Sequence, residues 1–230
     1  QYSQQVKYKE PLLLFHQENG KLRNISAEAG PAFTKAYPAR GLAVGDFNND
    51  GRLDVLVGNV GIQKRDQIIT KEGLETSFAT NILSHYLLTT GLLERGLLSP
   101  QATVIEVSSG GMYNHMMVLK DLNITGEGYL GVRAYGLSKR AQVMLAAHWR
   151  EQHGGRGMEF YAMHPGWVDT AAVGRSMPRF RAMLKSVLRE HYQGADTIVW
   201  LADKRPKQKQ VEAIWFDRKE RPVHIYEHTP

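Results

Sequence analysis

From Ala102 onward, apolar runs of strand length alternate with runs of helical period, and this restricts the fold of the 230-residue chain more than any other feature. "ATVIEVSS", "MEFYAMHPG" and "EAIWFDR" read as strands, the last of these as the final strand. "RAYGLSKRAQVMLAAHWREQHG" reads as a helix stopped by Gly154 and Gly155, and "RFRAMLKSVLRE" and "QGADTIVWLADK" as two more. Upstream, Leu74, Phe78, Ile82, Leu87 and Leu88 fall at helical spacing, with Thr70 as the expected N-cap. Strand alternating with helix predicts an α/β chain whose parallel sheet is covered on both faces.

The first 58 or so residues have a different texture. "PLLLFHQENGKLRNIS" predicts two short strands around a turn at Glu18-Asn19-Gly20. "EAGPAFTKAYPARG" is Pro- and Gly-rich connection. "GLAVGDF" and "LDVLVG" are Val-containing runs flanking the polar "NNDGR", so together they predict a hairpin. The expected organisation is a β-hairpin segment over residues 1–58 and an α/β domain over 59–230.

Composition excludes several classes. Hydrophobic content of 42% and charged content of 23% are those of an ordinary globular protein. No apolar run approaches the roughly 18 residues of a membrane span. No basic-then-apolar start reads as a signal peptide, so a cytoplasmic location is expected. The chain begins with Gln1 rather than Met, as a fragment or processed form would. With no cysteine there is no disulfide, no thiolate nucleophile and no Cys-based zinc site. The net charge of +6 is concentrated partly in "DKRPKQKQ" and "DRKERP", which read as solvated surface. No aromatics interleave with the basic residues as nucleic-acid binding requires, so no nucleic-acid partner is expected. His224 and His228 lack a third ligand and read as tail. The "NIT" at Asn123 is a glycosylation acceptor only in a secreted chain.

The chemistry lies in "AYGLSKRAQV". Tyr135 and Lys139 are four apart and share one helix face. A phenol of pKa near 10 is a poor acid–base catalyst at neutral pH, and an ammonium beside it favours the phenolate. Before this helix lies "VIEVSSGG", and before that Asn81 in "FATNILSHYLLT"; after it comes "HPGWVDT". In this order and spacing the motifs resemble the short-chain dehydrogenase/reductase family, from about Leu53 to the C-terminus. The resemblance implies a Rossmann-like doubly wound parallel sheet, truncated to the C-terminal part of such an enzyme and preceded by the small all-β segment. It implies Tyr135 as general acid/base, and Lys139 tuning it and bonding the nicotinamide ribose. Ser109 would hold the oxygen of a small carbonyl or alcohol substrate, and Asn81 would support a proton relay through water. Pro165, Gly166, Val168 and Thr170 would line an NAD(P) cofactor, with Asn59 and Gly61 of the loop after the fourth strand. Hydride transfer is the implied chemistry. Oligomeric state is not readable from these motifs.

The family's first strand and its G-x-x-x-G-x-G turn are missing. In "GLAVGDF", Gly41 and Gly45 match but Phe47 replaces the third glycine, and Asp46 and Asp50 are expected to repel the cofactor phosphates. The N-N-A-G after the fourth strand stands as Gly58-Asn59-Val60-Gly61. The N-terminal part instead resembles the FG-GAP repeats of β-propellers. In "DFNNDGRLD", oxygens from Asp46, Asn48, Asp50 and Asp54, with the Arg52 carbonyl, form a candidate Ca2+ site around the turn at Gly51. "LDVLVGN" serves either family, so the chain reads as a mosaic joined there. The family's sheet order places strand one beside strand four, and "GLAVGDF" could pair antiparallel in the vacated place. Two functions follow: an NAD(P)-dependent oxidoreductase, or a catalytically silent calcium-binding or interaction module that keeps the dehydrogenase half as scaffold.

Overall fold

A computed structural model describes residues 10–11, 15–18, 21–24, 36–37, 42–169 and 187–225. Gly41, Thr170, His228 and the expected helix after Pro178, as far as residue 186, lie outside the described residues. Ten strands are described. β1 (Glu10–Pro11) pairs with β4 (Ala36–Tyr37), and β2 (Phe15–Glu18) with β3 (Lys21–Asn24), the latter as the expected hairpin.

The main sheet has six strands in the order β10-β9-β8-β7-β6-β5. β6 (Leu53–Gly58), β7 (Leu98–Val107), β8 (Glu159–Met163) and β9 (Ala213–Phe216) are parallel. β5 (Leu42–Gly45) and β10 (Lys219–Pro222) close the two edges antiparallel. β5 therefore occupies the place beside β6 that the family's first strand would take.

Consecutive strand residues point to opposite faces, and both faces are covered, which is why these strands read as unbroken apolar runs. Val57, Ile105, Tyr161, Met163 and Trp215 pack against Leu201 of one helix. Their neighbours Leu56, Val104 and Phe160 pack against Trp149, and Ala162 and Ile214 against Val143 and Ala146. The covering helices are α1 (Thr76–Phe78), α2 (Ser84–Glu94), α3 (Gly131–His153) and α4 (His191–Lys204). Leu201 belongs to α4, and Val143, Ala146 and Trp149 to α3.

Three sequence expectations need correction. Thr70 does not cap the helix: its carbonyl accepts from Gly73 and its hydroxyl from Leu74, which closes a separate turn. The N-cap is Glu75, whose carboxylate accepts from the Phe78 amide. Glu75 was obscure because a long acidic side chain is a rare cap. Second, "EAIWFDR" is not the last strand. β10 follows it through Asp217 and Arg218, both left-handed (φ 50 and 57), in the manner of a tight hairpin turn. The strand is polar because an edge buries little, so it carries no apolar signal. Third, residues 187–190 are turn and extended backbone, with Arg189 bridging Val168. No helix among the described residues is long and apolar enough to cross a membrane.

Candidate active site

The C-terminal ends of β6, β7 and β8 open toward one place, the usual position of a ligand in a sheet of this kind. β7 delivers Ser108 and Ser109. Ser108 is buried and donates to the Lys139 carbonyl at 2.6 Å, tying the strand end to α3. Ser109 caps a short 3-10 turn over Gly110–Asn114 and faces Tyr135. Burial raises the Tyr135 pKa, and its hydrogen bond with Ser109 opposes that rise.

Lys139, one turn further along α3, is 3% exposed. Its Nζ donates to the Val107 carbonyl at 2.8 Å and to Gln142 Oε1 at 2.9 Å, and lies 5.8 Å from the Tyr135 ring centre. Burial pulls its pKa down to about 8, with the charge of Glu106 acting the other way. Gly61 packs directly on it: a Cβ there would stand 3.0 Å from Nζ. Asn81 is wholly buried in a π-helical stretch, Ala79–Leu83, between α1 and α2. Such π-turns recur at functional sites. Its side chain grips Ile62 from both sides, accepting from the amide at 2.8 Å and donating to the carbonyl at 2.9 Å, and also donates to Ser138 Oγ.

On β8's end, Pro165 and Gly166 follow His164, with Gly166 at φ 75, where a side chain would be strained and would meet Arg189. His164 stacks on Phe216 at 4.2 Å, and burial lowers its pKa to about 4, so its neutral ring accepts from the Gly166 amide. Val168 is buried, and Asn59 is exposed beyond the end of β6. Tyr135, Lys139, Ser109, Asn81 and Gly61 are thus brought together, with Pro165 and Gly166 at the neighbouring strand end.

The acidic loop is somewhere else. β5 runs antiparallel, with Leu42 opposite Gly58 and Gly45 opposite Val55. Asp46, Phe47 and Asp50 therefore stand at the far end of β6, six residues or about 20 Å from the site. The expectation that they repel cofactor phosphates is overturned, because strand direction decides which end a loop occupies. Within the loop, Asp46 accepts from Gly51, Asn48 from Asp50, Asp50 from Arg52 and Asp54 from Phe47. The oxygens close the turn on its own amides. Among the described residues no group of three or more His, Cys, Asp or Glu side chains is placed to hold a metal ion.

Sequence reasoning passed over Glu106, His85 and Gln142. Glu106 is 1% exposed in the apolar strand β7 and meets His85 of α2 at 2.6 Å. The available signal was a lone charge inside "VIEVSS", with His85 one turn beyond Asn81. Asn123 of the "NIT" sequence is part-buried and accepts from the Glu75 amide at 2.8 Å.

A family model described as short chain dehydrogenase matches residues 43–179. The chain belongs to that family. It is 39% identical over 183 residues to dehydrogenase/reductase SDR family member 12 of Bos taurus and 38% to that of Homo sapiens, covering 79% of this chain. This chain spans 57% of the length of those relatives. The angucycline C-6 ketoreductase LanV with bound NADP is similar in fold, with TM-score 0.51 and 22% identity over 66% of this chain and 56% of that one. A Burkholderia cenocepacia short-chain dehydrogenase in complex with NADP gives TM-score 0.51 and 18% identity, over 66% and 59%. Residues 7–57 also match an FG-GAP-like repeat, so the two family matches share residues 43–57, the hairpin of β5 and β6.

Proposed function

We infer that the chain is an NAD(P)-dependent oxidoreductase acting on a carbonyl or alcohol, with proton transfer at Tyr135. The meeting of Ser109, Tyr135 and Lys139 where β7 ends against α3 carries this reading. A phenol whose pKa is raised by burial stays protonated at neutral pH, which suits it to donate to a carbonyl oxygen in the direction of reduction. Ser109 Oγ holds that oxygen beside the phenol. In oxidation the same phenol, ionised, takes the proton back. Lys139 stays close enough to favour the ionised form.

The fit of a nicotinamide cofactor is divided. Lys139, Tyr135 and the close-packed Gly61 suit the nicotinamide ribose, and the family resemblance assigns Pro165, Gly166, Val168 and Thr170 to the nicotinamide and pyrophosphate, with Asn59 in the loop after β6. The bound nicotinamide supplies the hydride. The pyrophosphate end finds no Gly-rich turn among the described residues, since β5 stands where the strand leading to it belongs. Tyr135→Phe removes only the phenolic oxygen. Turnover of a carbonyl panel with NADPH or NADH is expected to fall about 10²–10⁴-fold in this variant at an unchanged melting temperature. Undiminished turnover would remove Tyr135 from the chemistry, and the absence of nicotinamide binding would favour a silent scaffold.

A second reading concerns calcium at Asp46–Asp54. It is supported by the FG-GAP-like match and by Asp46 Oδ1, which is buried without a hydrogen-bond partner among the described residues. The loop as it stands is not a closed metal site. Calcium would have to draw Asp46 and Asp50 off the amides they now accept from. The division into a hairpin segment, 1–58, and an α/β domain, 59–230, belongs to this reading; β6 carries the join.

A further inference from the structure

Gly58 ends β6 directly opposite Glu106 on β7. It stands where the family resemblance expects the first Asn of N-N-A-G. A Cβ there would lie 2.6 and 2.8 Å from the Glu106 carboxylate oxygens and 2.8 Å from His85 Nδ1. The missing side chain is therefore the space that the Glu106–His85 pair fills. Both partners are buried, at 1% and 4% exposure, and Glu106 Oε1 has no hydrogen-bond partner among the described residues. A carboxylate held this way in an otherwise apolar strand is costly to bury. What it holds is one imidazole.

The far nitrogen of that imidazole, Nε2, lies 2.8 Å from the Val60 carbonyl. A carbonyl only accepts, so Nε2 carries hydrogen. Nδ1 and Glu106 Oε2 at 2.6 Å must share a proton too. The pair thus holds one proton more than a neutral imidazole and a bare carboxylate. Val60 lies between Asn59 and Gly61, and the next residue, Ile62, is gripped by Asn81. Gln142 completes the surround: its Oε1 accepts from Lys139, and its nitrogen lies 3.3 and 3.4 Å from the two His85 ring nitrogens.

We propose that Glu106 and His85 are positioning residues for the loop Gly58–Ile62: Glu106 fixes the protonation of His85, and the His85 Nε2–H ties down Val60, which sets Gly61 against Lys139. This rests on reading that loop as the nicotinamide-facing one. The Asn81 grip on Ile62 supplies one anchor, and the His85–Val60 bond is the second.

The test uses amide hydrogen exchange at Ile62, whose N–H is bonded to Asn81, in Glu106→Gln and in His85→Phe. Each variant is expected to exchange Ile62 at least about tenfold faster while Ile105 and Tyr161, in the central strands, keep their protection. Unchanged exchange at Ile62 in either variant overturns the proposal. Should a variant unfold, the parent protein decides: long-range proton–nitrogen spectra of histidine-labelled protein, assigned with the other variant, must show hydrogen on His85 Nε2. A bare Nε2 overturns the proposal without any substitution. Neither readout needs cofactor. A protein with a well-protected loop that binds no nicotinamide would defeat the proposed function and leave the positioning role standing.

Discussion

Lys139 is a residue whose environment strongly changes its chemistry. Its ordinary pKa of 10.5 falls to about 8 because burial strips water from the ammonium, and the charge of Glu106 and the two oxygens that accept from Nζ restore only part of what hydration gave. Between those two values the unfolded chain keeps a proton that the folded chain has lost. Stability therefore rises with pH from about 8 to 10.5 on account of this group. Below pH 8 the full penalty applies, roughly 3–4 kcal/mol at roughly 1.4 kcal/mol per unit. Lys139→Met is expected to flatten the rise, and to make the protein more stable at pH 7 to the extent that lost hydrogen bonds do not offset the gain. Urea denaturation of parent and variant at pH 7 and pH 10 checks this. A parallel pH dependence in the two would mean that Lys139 is not the titrating group. The same substitution is expected to remove activity, so here stability and function oppose one another.

At the scale of elements, α3 is seated by its first residue. A Cβ on Gly131 would lie 1.8 Å from the Lys64 backbone carbonyl, a contact that neither backbone can yield cheaply. Gly131→Ala is expected to destabilise by about 1–3 kcal/mol or more, as overpacking does, and to displace Tyr135, four residues on. A denaturation midpoint equal to the parent's would show that the segment around Lys64 moves freely. The β5–β6 turn offers a separate test. If calcium binds the folded turn, millimolar calcium raises the melting temperature relative to chelator, worth about 2.7 kcal/mol at a hundredfold excess over Kd. Asp50→Ala is expected to abolish that shift, and magnesium to give less of it. Equal melting in calcium and chelator would leave a turn closed by its own Asx-type hydrogen bonds.

For the whole molecule, the orientation of β5 governs what the sheet can bind. The strand fills the edge beside β6 but runs the other way, so the turn it shares with β6 lies at the end remote from Tyr135. Affinity for a dinucleotide would then come from the nicotinamide half. Reduced nicotinamide mononucleotide and NADH are expected to bind this chain with dissociation constants within about threefold of each other, and weakly, since each missing charge-assisted bond to phosphate forfeits roughly 1.5–3 kcal/mol. Titration followed by nicotinamide fluorescence measures both. NADH binding more than about tenfold tighter would show that another segment holds the pyrophosphate, a difference of roughly 1.4 kcal/mol.

The sequence by itself determined the α/β class, the hairpins and the helix that carries Tyr135 and Lys139, because these rest on periodicity and local spacing. Tyr135 and Lys139 share a face whatever they pack against, and "VIEV" is a strand in any context that buries both its sides. It also carried enough of the motif order to indicate the family. Tertiary structure alone decided the rest. Whether Asp46 and Asp50 crowd the site depended on the direction in which β5 pairs, which no local pattern encodes. Glu75, a cap through its own Phe78 amide, is held in place by Asn123 and Tyr129, and Glu106 became the partner of His85, through contacts between residues distant in sequence. Glu106 and His85 are 21 positions apart, and Gly58 makes room for both only because β6 and β7 pair in that register.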